Sequence, residues 1–147
     1  MKSIVFALLC LSLSAAAMAQ TAEYNTKNGV ALSGYDPVSY FNHAPAKGKT
    51  TLQYQYQGIT YYFSNASNLE KFKNAPEKFE PQYGGWCAYA MGVDGSKVKI
   101  DPETYKITNG KLYLFYNFAF TNTLDYWNDN EDELLPKADD YWHKVLH

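Results

Sequence analysis

Asn109-Gly110 stands between Tyr105–Thr108 and Lys111–Tyr116, two short runs carrying β-branched and aromatic residues. Asn-Gly between such runs suits a two-residue type I′ turn, whose central residues both need φ > 0, and this commits the flanking segments to an antiparallel hairpin. A second strand pair is expected upstream, Thr51–Tyr56 and Ile59–Phe63, joined by Gln57-Gly58. There Leu52, Tyr54 and Tyr56 alternate, which gives one apolar strand face. The remaining segments read as short helices and turns. The expected fold is therefore α+β: a single small domain in which antiparallel β-hairpins pack with short α-helices.

Helix signals are local. Ser64 to Glu70 looks like a helix start: Ser67 with Glu70 fits a capping box, and Ser64 is an alternative cap. Leu69 and Phe72 share a face, and Pro76 should end the helix near residues 73–75. Pro76–Phe79 can begin a second short turn. Gln82–Gly85 reads as a hinge or cap. The apolar run Trp86–Met91 reads as a short buried helix stopped by Gly92. Asp94-Gly95 and Asp101-Pro102 mark surface turns. Two acidic helices are expected at the end, Asn122–Asp132 and Pro136–Val145, anchored by Leu124/Trp127 and by Tyr141/Trp142/Val145.

The N-terminus reads as a targeting segment. Lys2, an apolar run from Ile4 to Leu13 and the small-x-small site Ala17-Met18-Ala19 match a secretory signal peptide over residues 1–19. Residues 20–28 are expected to be a flexible arm, and residues 29–147 the folded domain with its C-terminal helices. Cleavage after Ala19 removes Cys10 and leaves Cys87 as the one cysteine, so no internal disulfide is possible and the core alone must hold the fold. The expected location is periplasmic or secreted. No later segment reaches about 18 consecutive apolar residues, so no transmembrane anchor is expected.

Charge excludes further classes. The net charge is −2 and there is no arginine. A nucleic-acid partner calls for a basic stripe and bidentate phosphate recognition for arginine, so no nucleic acid is expected. The chain is instead 17% aromatic, with 14 tyrosines, a composition suited to half-buried sheets and to interfaces.

Several longer motifs occur in order: GYDPVSYF at 34–41, YQGITYYFSNASNLEKF at 56–72, APEKF at 75–79, PQYGGWCAYAMG at 81–92 and DPETYKITNGKLYLFYN at 101–117. Together they resemble exported YHS domain proteins. Phe79 and Trp86 stand where that family usually has Tyr, and Tyr105 where Trp is expected, all aromatic exchanges. The resemblance extends to small cysteine-bearing modules linked to heavy-metal handling. In those, a DPVCGM-like segment and an FCSxxCxxxF-like helix start bring three cysteines together as soft ligands for Zn(II) or Cu(I). Ser39, Ser64 and Ser67 are read as standing at those three places. A neutral hydroxyl is a poor ligand for a soft metal, so the resemblance implies the fold without that metal set.

The candidate site residues follow from chemistry. In a helix, Cys87 and Met91 are four residues apart and share a face, a thiolate–thioether pair suited to Cu(I) or another soft metal. The same two residues equally suit a core. His43 is the histidine that could serve a nucleophilic Cys87 as base. Asp36 and Asp101, each before a proline, can cap their own turns or converge on Cys87. His143 and His147 can form a helical pair or a frayed end. The run Asp129, Glu131, Asp132, Glu133 lacks the ordered spacing of a calcium loop and reads as a solvated face. The leading expectation is a non-enzymatic exported binding or accessory protein, with copper or another soft metal as ligand. The alternatives are an interaction module for a protein partner or small ligand using its aromatic surface, and a thiol-dependent enzyme using Cys87.

Overall fold

The computed structural model describes residues 21–147, so the signal-peptide reading of residues 1–19, Cys10 included, lies outside the described residues. The fold is α+β. A four-stranded sheet is built from β1 (Thr26–Lys27), β2 (Val30–Ala31), β3 (Lys49–Tyr56) and β4 (Ile59–Phe63), in the order β1-β2-β4-β3. β3 and β4 are antiparallel, whereas β2 runs parallel to β4 at Val30 and Thr60. Ile59, Tyr61 and Phe63 point inward from β4, as the two-residue period of a strand requires. They meet helix α1 (Ala66–Asn74) at Phe72, whose ring lies 4.7 Å from Tyr61 and 5.2 Å from Phe63. The one-turn helix α2 (Pro76–Phe79) follows, with Pro76 in its first turn.

The second hairpin joins β5 (Asp101–Thr108) to β6 (Lys111–Phe115). Its two-residue turn forms as expected: Asn109 has φ 52° and Gly110 φ 72°. A Cβ on Gly110 would have nothing within 4 Å, so only backbone strain opposes a larger residue there. Gly110→Val is expected to lower stability by about 1–3 kcal/mol; an unchanged denaturant midpoint would contradict the turn.

After the exposed Lys111, β6 shows no alternation of apolar and polar positions. Leu112 and Leu114 belong to one buried cluster with β4 and α1. Tyr113 and Phe115, on the opposite face, belong to a second cluster with Trp127. The strand is the wall between two cores, and a strand buried on both faces reads as a continuous apolar run.

The second core is closed by α3 (Ala88–Asp94) and the long α4 (Thr123–Leu146). Gly92 does not stop α3; the helix runs on to Gly95, which ends it in the left-handed conformation at φ 78°. A Cβ on Gly92 would lie 2.8 Å from the Leu134 carbonyl oxygen, so this glycine permits the close approach of α4. The two expected C-terminal helices form, but they meet at a kink at Asn130 and not in the gap before Pro136. Asn130 is non-helical (φ −136°, ψ 20°), while Pro136 lies within the helix. The short hairpin β7 (Asn117–Phe118) and β8 (Thr121–Asn122) leads into it, and the Asn122 side chain accepts a bond from Leu124 N–H at 3.1 Å as its cap.

The arm expected to be loose is tied down from Glu23 onward. Asn25 N–H donates to Gly84 O at 2.8 Å, Asn25 Nδ2 donates to Gly85 O at 3.0 Å, and Trp86 Nε1 donates to Glu23 O at 2.7 Å. Tyr83, Gly84 and Gly85 all have positive φ, so the expected hinge is a tight left-handed turn on which the arm docks. Among the described residues no helix is long and apolar enough to cross a membrane.

Candidate functional site

Two places concentrate chemistry. The first is Asp36, a wholly buried carboxylate. Asp36 follows the extended Tyr35 and precedes Pro37, and its Oδ1 accepts from Val38 N–H at 2.8 Å and Ser39 N–H at 3.3 Å. This is the turn chemistry expected of an Asp before a Pro. Its Oδ2 accepts three more bonds, from Ser64 N–H at 2.9 Å, Ser64 Oγ at 2.7 Å and Asn68 Nδ2 at 2.8 Å. Five donors therefore saturate one carboxylate. Ser39 Oγ is equally committed: it donates to Asp36 O at 2.6 Å and accepts from Ala46 N–H at 3.0 Å.

The cluster corrects the expected serine triad. Ser39 and Ser64 meet at Asp36, but Ser67 is exposed on α1. Asn68 takes the third place. With Phe63 and Phe72 as the two phenylalanines of FCSxxCxxxF, the second cysteine falls on Asn68, and counting from those anchors reveals it. The helix cap also differs from both serine readings: Asn65 accepts from Asn68 N–H at 2.8 Å. The three positions thus offer two hydroxyls and an amide: the Ser64 hydroxyl and the Asn68 amide are turned to the carboxylate, and the Ser39 hydroxyl to the Asp36 backbone carbonyl and Ala46 N–H. A soft metal finds no thiolate and no free acceptor here, so these residues do not fit it.

The second place is Cys87. It is the residue before α3, with φ −59° and ψ 117°, and not a helical residue. Its backbone pairs with Leu114 of β6, and its N–H donates to Val98 O at 3.0 Å. Because Cys87 leaves the helix, the four-residue spacing does not stack it on Met91. Cys87 packs in the first core and Met91 in the second. Cys87 Sγ accepts from Tyr116 N–H at 3.3 Å and lies 3.4 Å from Thr123 Oγ1. The Thr123 hydroxyl proton is already donated to Tyr116 O at 2.8 Å, so the Cys87 S–H is the donor to Thr123. The thiol is wholly buried and has a partner for each role.

Above Cys87 lies an open groove of about 330 Å³. Its walls are Tyr89, Ala90 and Val93 from α3, Val98, and Tyr116, with Thr123 beside the thiol. Cys87 borders this space yet is fully covered, because Tyr116 and Thr123 close over its sulfur. The lining is mostly apolar, with hydroxyl and carboxylate groups from Tyr89, Tyr116, Thr121, Thr123, Ser96 and Asp94. Asp94 Oδ1 accepts from Ser96 N–H at 3.0 Å, which holds the rim turn.

The other candidates do not gather at Cys87. His43 is exposed and ends a 3₁₀ turn, Ser39–Asn42, in the left-handed conformation. The polar partners of Cys87 are Tyr116 N–H and Thr123, with no imidazole. Asp101 serves its own turn, accepting from Glu103 N–H at 3.1 Å and Thr104 Oγ1 at 2.8 Å. The acidic run is spread along α4: Glu131 pairs with Lys106, and Glu133 with Lys137 at 2.5 Å. Burial pushes the phenols of Tyr40, Tyr61 and Tyr83 far above the ordinary tyrosine range, with Glu80 adding to Tyr61 and Asp139 to Tyr83. They act as hydrogen-bond donors: Tyr40 to Pro102 O at 2.5 Å, Tyr61 to Glu80 at 3.3 Å and Tyr83 to Asp139 at 2.9 Å. Among the described residues no three His, Cys, Asp or Glu side chains gather to hold a metal ion.

Comparison with known proteins bears on the first place and not the second. Searches of curated proteins and of solved structures return no significant match. The family match begins beside Asp36, contains Ser39, Ser64 and Asn68, and stops before Cys87, so the groove lies outside it. It suggests a metal-associated accessory module. Residues 37–83 of this chain match the YHS domain.

Proposed function

We propose that this chain is a non-enzymatic exported accessory module that takes a small apolar ligand into the groove above Cys87. The observation that carries this reading is the groove itself. A concave, largely apolar space of about 330 Å³ lined by a few hydroxyl-bearing side chains has the size and make-up of a small-ligand site. Export is supported by Lys2, the apolar run Ile4–Leu13 and Ala17-Met18-Ala19. The thiol lends the groove a soft, covered floor and no nucleophile, since its lone pair and proton are engaged. The competing reading, Cu(I) on Cys87 with Met91, requires the sulfur to leave Tyr116 and Thr123 and to reach a residue of the other core.

The test is titration with the apolar dye 1-anilinonaphthalene-8-sulfonate. Saturable fluorescence enhancement is expected, lost in Ala90→Trp, which fills the groove. Val93→Asp tests the same wall at a half-exposed position where folding is not at stake. Dye binding that is absent, or unchanged in both variants, would contradict the reading.

A further inference from the structure

His143 lies in the last turn of α4 and His147 follows its end, and both are exposed. His147 stands one residue past the helix, yet the two imidazole centroids are 4.5 Å apart with the ring planes at 60°. The adjacent Lys144 ammonium sits over the Tyr141 ring, 5.6 Å from its centroid. Two neighbouring imidazoles, each with a nitrogen lone pair when neutral, are a chelating pair for a borderline divalent cation.

The spacing selects a geometry. With metal–nitrogen bonds of about 2.0–2.1 Å, an imidazole centroid lies about 3.2 Å from the ion it binds. Two centroids 4.5 Å apart then subtend about 90° at a shared ion. A tetrahedral angle would need them about 5.2 Å apart. A right angle between nitrogen ligands is the cis arrangement of tetragonal Cu(II) and Ni(II), and Cu(II) is the tighter binder of the two. We propose that His143 and His147 form a two-imidazole chelate for Cu(II), with water in the remaining positions. This site is separate from the groove and does not depend on the reading of Cys87. It uses nitrogen donors on an exposed helix end, outside the YHS segment.

The probe is cupric sulfate, titrated into the chain prepared without a histidine tag and followed by electron paramagnetic resonance. One ion with two nitrogen ligands is expected. His143→Asn and His147→Asn should each weaken uptake by at least about 100-fold, because each removes one arm of a chelate. Circular dichroism should be unchanged in both, as the positions are exposed. His43→Asn, at the remaining histidine of the chain, should leave uptake as it was. Uptake that survives either helix variant undiminished, a spectrum showing a single nitrogen, or loss of binding in His43→Asn would overturn the proposal.

Discussion

Asp36→Ala is expected to cost about 3–5 kcal/mol of folding stability. The substitution removes an acceptor and leaves five donors behind: Val38 N–H, Ser39 N–H, Ser64 N–H, Ser64 Oγ and Asn68 Nδ2. A buried donor without a partner forfeits its hydration and receives nothing in exchange. These donors come from the 3₁₀ turn at residues 39–42, the end of β4 and the start of α1, so the loss should unfasten the first core at its corner. Asp36→Asn should restore only part of the stability. Its one carbonyl can serve Val38 and Ser39, but its amide hydrogens then face the N–H of Ser64 and the amide of Asn68. Asn68→Ala should destabilise measurably, whereas Ser67→Ala, at an exposed position, should stay within about 0.5 kcal/mol of the parent. Urea unfolding midpoints at constant slope give the ranking. Equal effects at 67 and 68 would contradict the cluster.

Gly48→Ala should be as damaging for a different reason. Gly48 crosses the end of β4, and a Cβ there would lie 2.4 Å from the carbonyl carbon of Tyr62, 2.5 Å from Tyr62 Cβ and 2.6 Å from Phe63 N. All three are backbone or fixed to it, so no rotamer change relieves the overlap. The start of β3 would have to separate from β4 beside the bulge between Lys49 and Gln53. A loss of at least about 3 kcal/mol is expected. Gly29→Ala provides the contrast: its φ is +79° but its Cβ would meet nothing within 4 Å. Backbone strain alone should cost about 1–2 kcal/mol there. A Gly29 variant more damaged than the Gly48 variant would refute the steric account.

What the sequence made legible was local. Asn109-Gly110 and Gln57-Gly58 announce their turns because the φ > 0 requirement falls on the turn residues themselves, and both hairpins form where expected. Asp36 is readable as a turn residue because an Asp before a proline accepts hydrogen bonds from its own turn. Its bonds to Ser64 and Asn68 span 28 and 32 residues, and no local pattern encodes such a meeting. Only the anchors Phe63 and Phe72, counted carefully, would have placed Asn68 at the carboxylate in place of Ser67. The Cys87–Met91 pairing failed because spacing predicts a shared face only inside a helix, and Cys87 sits one residue outside. Pro136 suggested a break in the last helix, yet the departure from helical geometry falls at Asn130. The helix there is held by Trp127, Leu134 and Ala138 against the second core, and packing outweighed propensity. The groove was invisible because its walls come from α3, the segment at Val98 and the approach to α4, which only the fold brings together.

Cys87 is a covered, doubly hydrogen-bonded thiol beneath the groove. Alkylation of Cys87 in the native protein, run with and without Cu(I), tests it most directly. Labelling of this thiol is expected only as the protein unfolds, at a rate that stoichiometric Cu(I) does not change. Fast native-state labelling, blocked by Cu(I) and restored in Met91→Leu, would contradict it.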